Sequence, residues 1–279
     1  MRIKMKRHET FSIREGWLAK GMKAVENNPK VFTDPDATDI LGIGTNMVKS
    51  LRYWMKATNL IEENNRSSTL SPLGNLLNFY DPYLENLFSW WLIHLHLILN
   101  KEEAYVFNMF FNKCHAKKFT KSDLVKQISA ELNTQNLEFN EKTLEDEISM
   151  IIKTYSIDEK IDNPENNFIC PLSDLNLIKP LSKNNYEKNK PNYKNLNYLV
   201  VYYLLQLNIG NRDSISIDDL LRIEDGPAKL LNLDKNLIYE YLDEMKRNNL
   251  IILNRTAGLN MVYLKQKMTL EQIFRNYYE

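Results

Sequence analysis

LGIGTNMVKSLRYWMKATNLI, from Leu41 to Ile61, carries the pattern of a turn and second helix of a helix-turn-helix. A short apolar helix over residues 37–41 runs into Gly42-Ile43-Gly44, and Thr45 stands where an N-cap hydroxyl would satisfy a free backbone N–H. Beyond it Val48, Leu51 and Met55 recur at the spacing of a helical face packed on a core. Lys49, Arg52 and Lys56 repeat the same spacing on the neighbouring arc. A cationic stripe on the helix after such a turn suits a phosphate-lined major groove. Leu60-Ile61 reads as a first wing strand, Glu62 to Ser68 as a polar wing tip that carries Arg66, and Leu70 as the return strand. Duplex DNA is the expected partner of Thr45, Asn46, Lys49, Arg52, Lys56 and Arg66. The competing reading is that exposed helix faces are commonly charged.

Upstream, Phe11, Trp17, Leu18, Met22 and Val25 are spaced for a helix from about Arg14 to Glu26, and Asp34-Pro35-Asp36 caps the next one. The order is helix, helix, turn, helix, wing. Downstream, Ser71-Pro72-Leu73-Gly74 opens a short helix and Asp81-Pro82 a longer one, YLENLFSWWLIHLHLIL, apolar on nearly all sides as a central strut would be. A further helix over about Glu102 to Asn112 completes an N-terminal winged-helix domain with a helical extension, residues 1–117. Trp90, Trp91, Phe110 and Phe111 invite a base-stacking reading, yet aromatics at helical spacing are usually core.

Residues 118–195 form a helical middle segment and linker. Thr120 with Asp123, and Asn140 with Thr143, mark two helix starts, and Glu141, Glu145, Asp146 and Glu147 give the second helix a face that phosphates would repel. Residues 158–195 are rich in Asn, Lys and Pro with little periodicity. Residues 196–279 read as a C-terminal winged-helix-like domain: an apolar helix, a short helix capped at Ser216, a third capped at Asp234, a hairpin about Ala257-Gly258, and a last helix capped at Thr269. Its third helix sets Glu240, Asp243 and Glu244 against Lys246 and Arg247, so a protein contact is expected there, a homodimer interface among them. The fold class is mainly α: helical bundles with winged helix-turn-helix domains and short β-wings.

The chain has 279 residues, 8 Gly and 9 Pro, too few turn formers for a barrel or sandwich. Its 36 Lys/Arg and 36 Asp/Glu cancel, so no global field draws in nucleic acid. The distribution is uneven, with 11 Lys/Arg to 6 Asp/Glu over residues 1–60 and 3 to 10 over residues 131–165. A basic front and an acidic middle suit an oriented binder. Two cysteines, Cys114 and Cys170, offer no disulfide framework. No stretch is long and apolar enough for a signal peptide or a membrane span, and a cytoplasmic protein is expected.

Chemistry is sparse. Gly42-Ile43-Gly44 lacks the third glycine of a dinucleotide fingerprint, no phosphate-binding loop motif occurs, and no Cys/His cluster has zinc spacing, so neither a nucleotide nor an organic cofactor is expected. His94 and His96 lie two apart on a helix, on different faces. The carboxylates that stand out are Glu9 and Glu15, beside His8 and Arg14, and the pair Asp81 and Glu85 one turn apart. Acidic pairs can hold Mg²⁺ or another divalent metal for phosphodiester hydrolysis. His8, Glu9, Arg14 and Glu15 are therefore catalytic candidates, and Asp81 and Glu85 metal candidates.

RHETFSIREGWLAKG (Arg7 to Gly21), LGIGTNMVKSLRYWMKAT (Leu41 to Thr58), LSPLG (Leu70 to Gly74) and DPYLE (Asp81 to Glu85) together resemble the SspB-like family, coded beside DNA phosphorothioation genes in bacterial defence systems. The match in order and spacing covers roughly the first 115 residues. The resemblance implies a DNA-binding component that nicks duplex DNA so that sulfur can be inserted. It also implies partners: a cysteine desulfurase, a sulfurtransferase resembling PAPS reductases, and an ATPase. Read without the resemblance, the chain fits a non-catalytic winged-helix adaptor or transcription regulator slightly better, since a reader is visible and an active site is not.

Overall fold

Left-handed glycines punctuate the front of the chain. In the computed structural model, which describes residues 3–157, 169–256 and 259–279, α1 spans Trp17–Asn27 and α2 spans Ala37–Leu41. Gly16 precedes α1 at φ 72° and Gly42 follows α2 at φ 59°, a region where a Cβ would be strained. Gly16 therefore delays α1 to Trp17, where periodicity alone suggested Arg14. After the turn, α3 spans Thr45–Ala57 with Val48, Leu51 and Met55 buried. Gly44 already holds the extended N-cap position, so Thr45 is the first residue inside the helix and its hydroxyl makes no cap bond.

The hairpin after α3 is tighter than its polar sequence suggested. Strands β1 (Ile61–Asn64) and β2 (Ser67–Leu70) pair antiparallel, with Ile61 opposite Leu70 and Asn64 opposite Ser67. Only Asn65 and Arg66 remain in the turn, at φ 48° and 67°, the conformation that matches the twist of a two-residue hairpin. Ser68 N–H donates to Pro29 O at 2.6 Å and Thr33 Oγ1 to Arg66 O at 3.3 Å, tying the hairpin to the segment before α2. Helix α4 (Pro72–Tyr80) starts where expected, with Ser71 Oγ accepting from Gly74 N–H at 3.0 Å. Helices α5 (Leu87–Leu99) and α6 (Tyr105–Lys113) form the centre, and Trp90, Trp91, Phe110 and Phe111 are all buried in it, which removes them as a stacking platform.

Strand β3 (Lys118–Thr120) leads into α7 (Lys121–Thr134) through a reciprocal cap between Thr120 and Asp123, and Asn140 caps α8 (Glu141–Tyr155). Of the segment read as linker, residues 158–168 lie outside the described residues. The rest forms a 3-10 turn at Pro171–Leu175 and two strands, β4 (Ile178–Ser182) and β5 (Asn185–Lys188), in a sheet ordered β3-β5-β4. These polar strands lack the alternating burial that makes a strand legible.

By compactness the chain divides into Met1–Asn189 and Lys190–Glu279, so β3 to β5 belong with the first unit. The second contains α9 (Tyr198–Ile209), β6 (Ser214–Ser216), α10 (Ile217–Arg222), α11 (Pro227–Leu230), α12 (Lys235–Arg247), β7 (Ile251–Thr256), β8 (Leu259–Leu264) and α13 (Leu270–Tyr278). The expected hairpin joins β7 to β8, although Ala257-Gly258 lies outside the described residues. Strand order β6-β8-β7 repeats β3-β5-β4, with the last strand central each time. The succession helix, strand, helices, two strands therefore occurs twice, from α6 to β5 and from α9 to β8. The protein is mainly α with small antiparallel sheets, and among the described residues no helix is long and apolar enough to cross a membrane.

Candidate nucleic-acid interface

The two ends of α3 differ. Thr45, Asn46 and Lys49 are exposed at its N-terminal end, with Lys49 Nζ 3.4 Å from Asn46 Oδ1. Arg66 is exposed on the hairpin tip, and neither it nor Lys49 makes an ion pair among the described residues. The C-terminal end is already engaged. Arg52 Nε lies 2.6 Å from Glu63 Oε1, and Lys56 Nζ lies 3.3 Å from Glu63 Oε2 and 3.6 Å from Glu103 Oε1. Burial pushes the Glu63 carboxyl up, but the bonds and charges of Arg52 and Lys56 outweigh this and hold it below the usual carboxylate range. The expected stripe is thus split, with Lys49 open and Arg52 and Lys56 folded onto β1.

The basic front of the chain is engaged in the same way. Glu103, whose side chain is 7% exposed, takes Lys4 at 3.1 Å and Arg7 at 3.0 Å in addition to Lys56. Burial raises its carboxyl, and these three cations more than reverse that. Lys6 pairs with Asp146 at 2.8 Å. His8, buried against Tyr53 and Trp54, sets its Nε2 3.3 Å from Glu147 Oε1, which also accepts from Lys6 N–H. The acidic face of α8 and the basic N-terminus therefore satisfy each other in part. His8 packs in the interior, and Glu9 is half-buried beside it.

Arg14 and Glu15 lie at a more open place. A cleft of about 650 Å³ is lined by Arg14, Trp17, Lys20, Gly42, Ile43 and Met47, so it opens on the turn that leads into α3. The Arg14 guanidinium sits over the rings of Phe11 (5.5 Å) and Trp17 (5.3 Å), and burial lowers its pKa. Glu15, Gly16 and Ile169 also line a second cleft of about 820 Å³, together with Tyr83, Glu85, Trp90 and Asp174. Burial raises the Asp174 carboxyl, and the charge of Glu15 pushes it the same way. The fold thus brings Arg14, Glu15 and Glu85 to adjoining clefts and adds Asp174.

Asp81 is not with them. It is 5% exposed, and its Oδ1 accepts from Glu85 N–H at 3.0 Å while Oδ2 accepts from Asn86 N–H at 3.1 Å and Ser89 Oγ at 2.6 Å. It closes the turn before α5, which starts at Leu87, not at Asp81, and its carboxylate points into that turn. Among the described residues no three His, Cys, Asp or Glu side chains gather as in an all-protein metal cage. Glu15, Glu85 and Asp174 share a cleft without forming such a group, so a Mg²⁺ ion there would rest on one or two carboxylates and water.

Glu63, Glu103 and Asp174 escaped sequence reasoning. One signal existed for Glu63: two residues after buried Ile61 on a strand, it must share that residue's inward side. Glu103 and Asp174 interact with residues far away in sequence, and nothing local marks them.

Residues 5–278 match the family model described as "Protein of unknown function (DUF4007)". Among solved structures, a magnesium ion-bound SspB crystal structure superposes with a TM-score of 0.84 at 26% identity, covering 94% of this chain and 83% of that one. A second SspB crystal structure gives 0.83 at 24% identity, covering 98% and 85%. No curated protein sequence matches.

Proposed function

The chain belongs to the DUF4007 family and has the fold of SspB, and from that premise we propose that it is the DNA-binding component of a bacterial DNA phosphorothioation system. It reads duplex DNA as a winged helix, with α2 and α3 as the helix-turn-helix and β1-β2 as the wing. The observation that carries this is the open N-terminal end of α3, where Thr45, Asn46 and Lys49 face solvent and Lys49 has no carboxylate partner among the described residues. In helix-turn-helix proteins that end of the second helix meets base edges while cations position the backbone. Arg66 on the wing tip is a second phosphate contact. The experiment is duplex binding against salt: Lys49→Ala and Arg66→Ala should each lower affinity and flatten the log–log salt slope by roughly 0.9. Unchanged affinity and slope in both variants would show that DNA is bound elsewhere or not at all.

The same reading extends to strand nicking, with DNA as substrate and the desulfurase, sulfurtransferase and ATPase of such a system as partners. Its support is the pair of adjoining clefts. Arg14 and Lys20 would hold a phosphate beside the α2–α3 turn, with Glu15 common to both clefts and Glu85 and Asp174 in the second. The alternative is a non-catalytic adaptor, in which the open end of α3 binds duplex and the clefts play no chemical part. Supercoiled plasmid incubated with the protein and Mg²⁺ separates them. Open-circular product that Glu15→Gln and Asp174→Asn abolish supports nicking. Retained duplex binding with no open circle supports the adaptor.

A further inference from the structure

We propose that Glu63 is an internal stand-in for a DNA phosphate, which withholds Arg52 from weak backbone contacts and so sets the selectivity of the interface. The inference rests on the DNA-binding reading and adds a competitor within it. Arg52 and Lys56 repeat the spacing of Lys49 along α3, but both turn onto one carboxylate of β1 at 2.6 and 3.3 Å. Among the described residues, Glu63 bonds Arg52 and Lys56 from α3 and the Ser68 hydroxyl from β2, 3.4 Å away. Its side chain is 14% exposed, whereas those of Arg52 and Lys56 are 34% and 30% exposed. The carboxylate is thus held in place, while the cations keep an open side toward solvent.

A phosphate that approaches Arg52 must exchange one anionic partner for another. On random duplex, contacts are backbone electrostatics and little else, so the exchange yields small gain. At a preferred site, contacts from the N-terminal end of α3 hold the duplex in register long enough for the exchange to be completed. Glu63 therefore suppresses random-sequence binding more than preferred binding. Glu103 adds to this at Lys56, which it approaches to 3.6 Å, so removing Glu63 frees Arg52 fully and Lys56 in part.

The test is Glu63→Gln, an isosteric change that keeps an acceptor for Ser68, with thermal unfolding as the check on folding. Random duplex should bind more tightly, and the log–log salt slope should steepen by between roughly 0.9 and 1.8, for one to two added phosphate contacts. The gain should then shrink by about 3- to 12-fold between 50 and 200 mM salt. Adding Arg52→Gln to Glu63→Gln should remove most of the gain, a coupling that a merely structural role for Glu63 does not produce. If Glu63→Gln does not fold, Glu63→Asp takes its place: the shorter carboxylate loosens its grip on Arg52, and an intermediate slope is expected. Wild-type slope and affinity in a folded variant would overturn the proposal while leaving the DNA reading intact. No duplex binding by wild type or variant would overturn both.

Discussion

Replacing Asp81 with alanine tests whether that carboxylate holds the fold or a metal. The wild-type side chain accepts three hydrogen bonds, from Glu85 N–H, Asn86 N–H and the Ser89 hydroxyl, at 3.0, 3.1 and 2.6 Å. Ser89 is fully buried and Asp81 nearly so, so these bonds are shielded from water. A hydrogen bond to a charged group contributes about 1.5–3 kcal/mol. Three bonds sharing one carboxylate do not add fully, so the expected loss is about 3–5 kcal/mol. The unit that contains Asp81 has 189 residues. At that size each kcal/mol moves the melting midpoint by about 2–4 °C, so Asp81→Ala should melt about 10 °C below wild type. The assay is thermal unfolding followed by far-ultraviolet circular dichroism, with and without Mg²⁺. The gap between variant and wild type should be the same in both buffers. A variant that melts within a degree or so of wild type would refute the capping argument. A gap that opens only when Mg²⁺ is present would do so as well, and would return Asp81 to the metal.

Gly74→Ala places a Cβ 2.2 Å from the Leu60 carbonyl oxygen, so the start of α4 must move off the residue leading into β1. Overpacking against backbone costs about 1–3 kcal/mol or more, visible as a lower melting midpoint and as altered proteolysis of the hairpin. Burial lowers the His96 pKa to about 4. Because the folded value lies below the unfolded one, the folded state resists protonation, and stability is complete above about 6.5 and lost as pH falls toward 4. The loss should approach about 3 kcal/mol in urea titrations at successive pH values, and His96→Gln should flatten it. Burial pushes the Cys114 thiol up to about 11 and the Cys170 thiol up to about 12, so both should resist alkylation at neutral pH until the chain unfolds. Rapid labelling of the native protein would show that one of them is accessible.

Local signals carried most of the fold. Ser71, Thr120, Asn140, Asp234 and Thr269 each cap a helix by accepting an N–H two or three residues on, and such a bond is written in a four-residue window. The cationic face of α3 and the hydrophobic side opposite it were legible for the same reason. Strands β4 and β5 were not, because Lys179, Ser182, Asn185 and Lys188 give them no apolar alternation, and β5 also pairs with β3, more than 60 residues upstream. Asp81 was legible as a cap but not as one that reaches eight residues ahead to Ser89. Arg14 and Glu15 were singled out from their sequence neighbourhood, while Asp174, which shares a cleft with Glu15, stood in a stretch without periodicity.

Charge was the least transferable part of the reading. A segment's net charge counts cations but does not say which of them face solvent, and here the excess of residues 1–60 is partly spent inside the protein. Lys4, Arg7 and Lys56 meet on Glu103, Lys6 meets Asp146, and Arg52 meets Glu63. Two of these acceptors, Glu63 and Glu103, lie outside both segments whose imbalance was apparent. The cations left for a phosphate are therefore selected by where β1 and the turn before α6 place their carboxylates, not by the stripe on α3 alone. On the proposed DNA-binding reading, a helix with all three cations open would grip any duplex, whereas one with two of them held back would depend on its exposed N-terminal end, with Thr45 and Asn46.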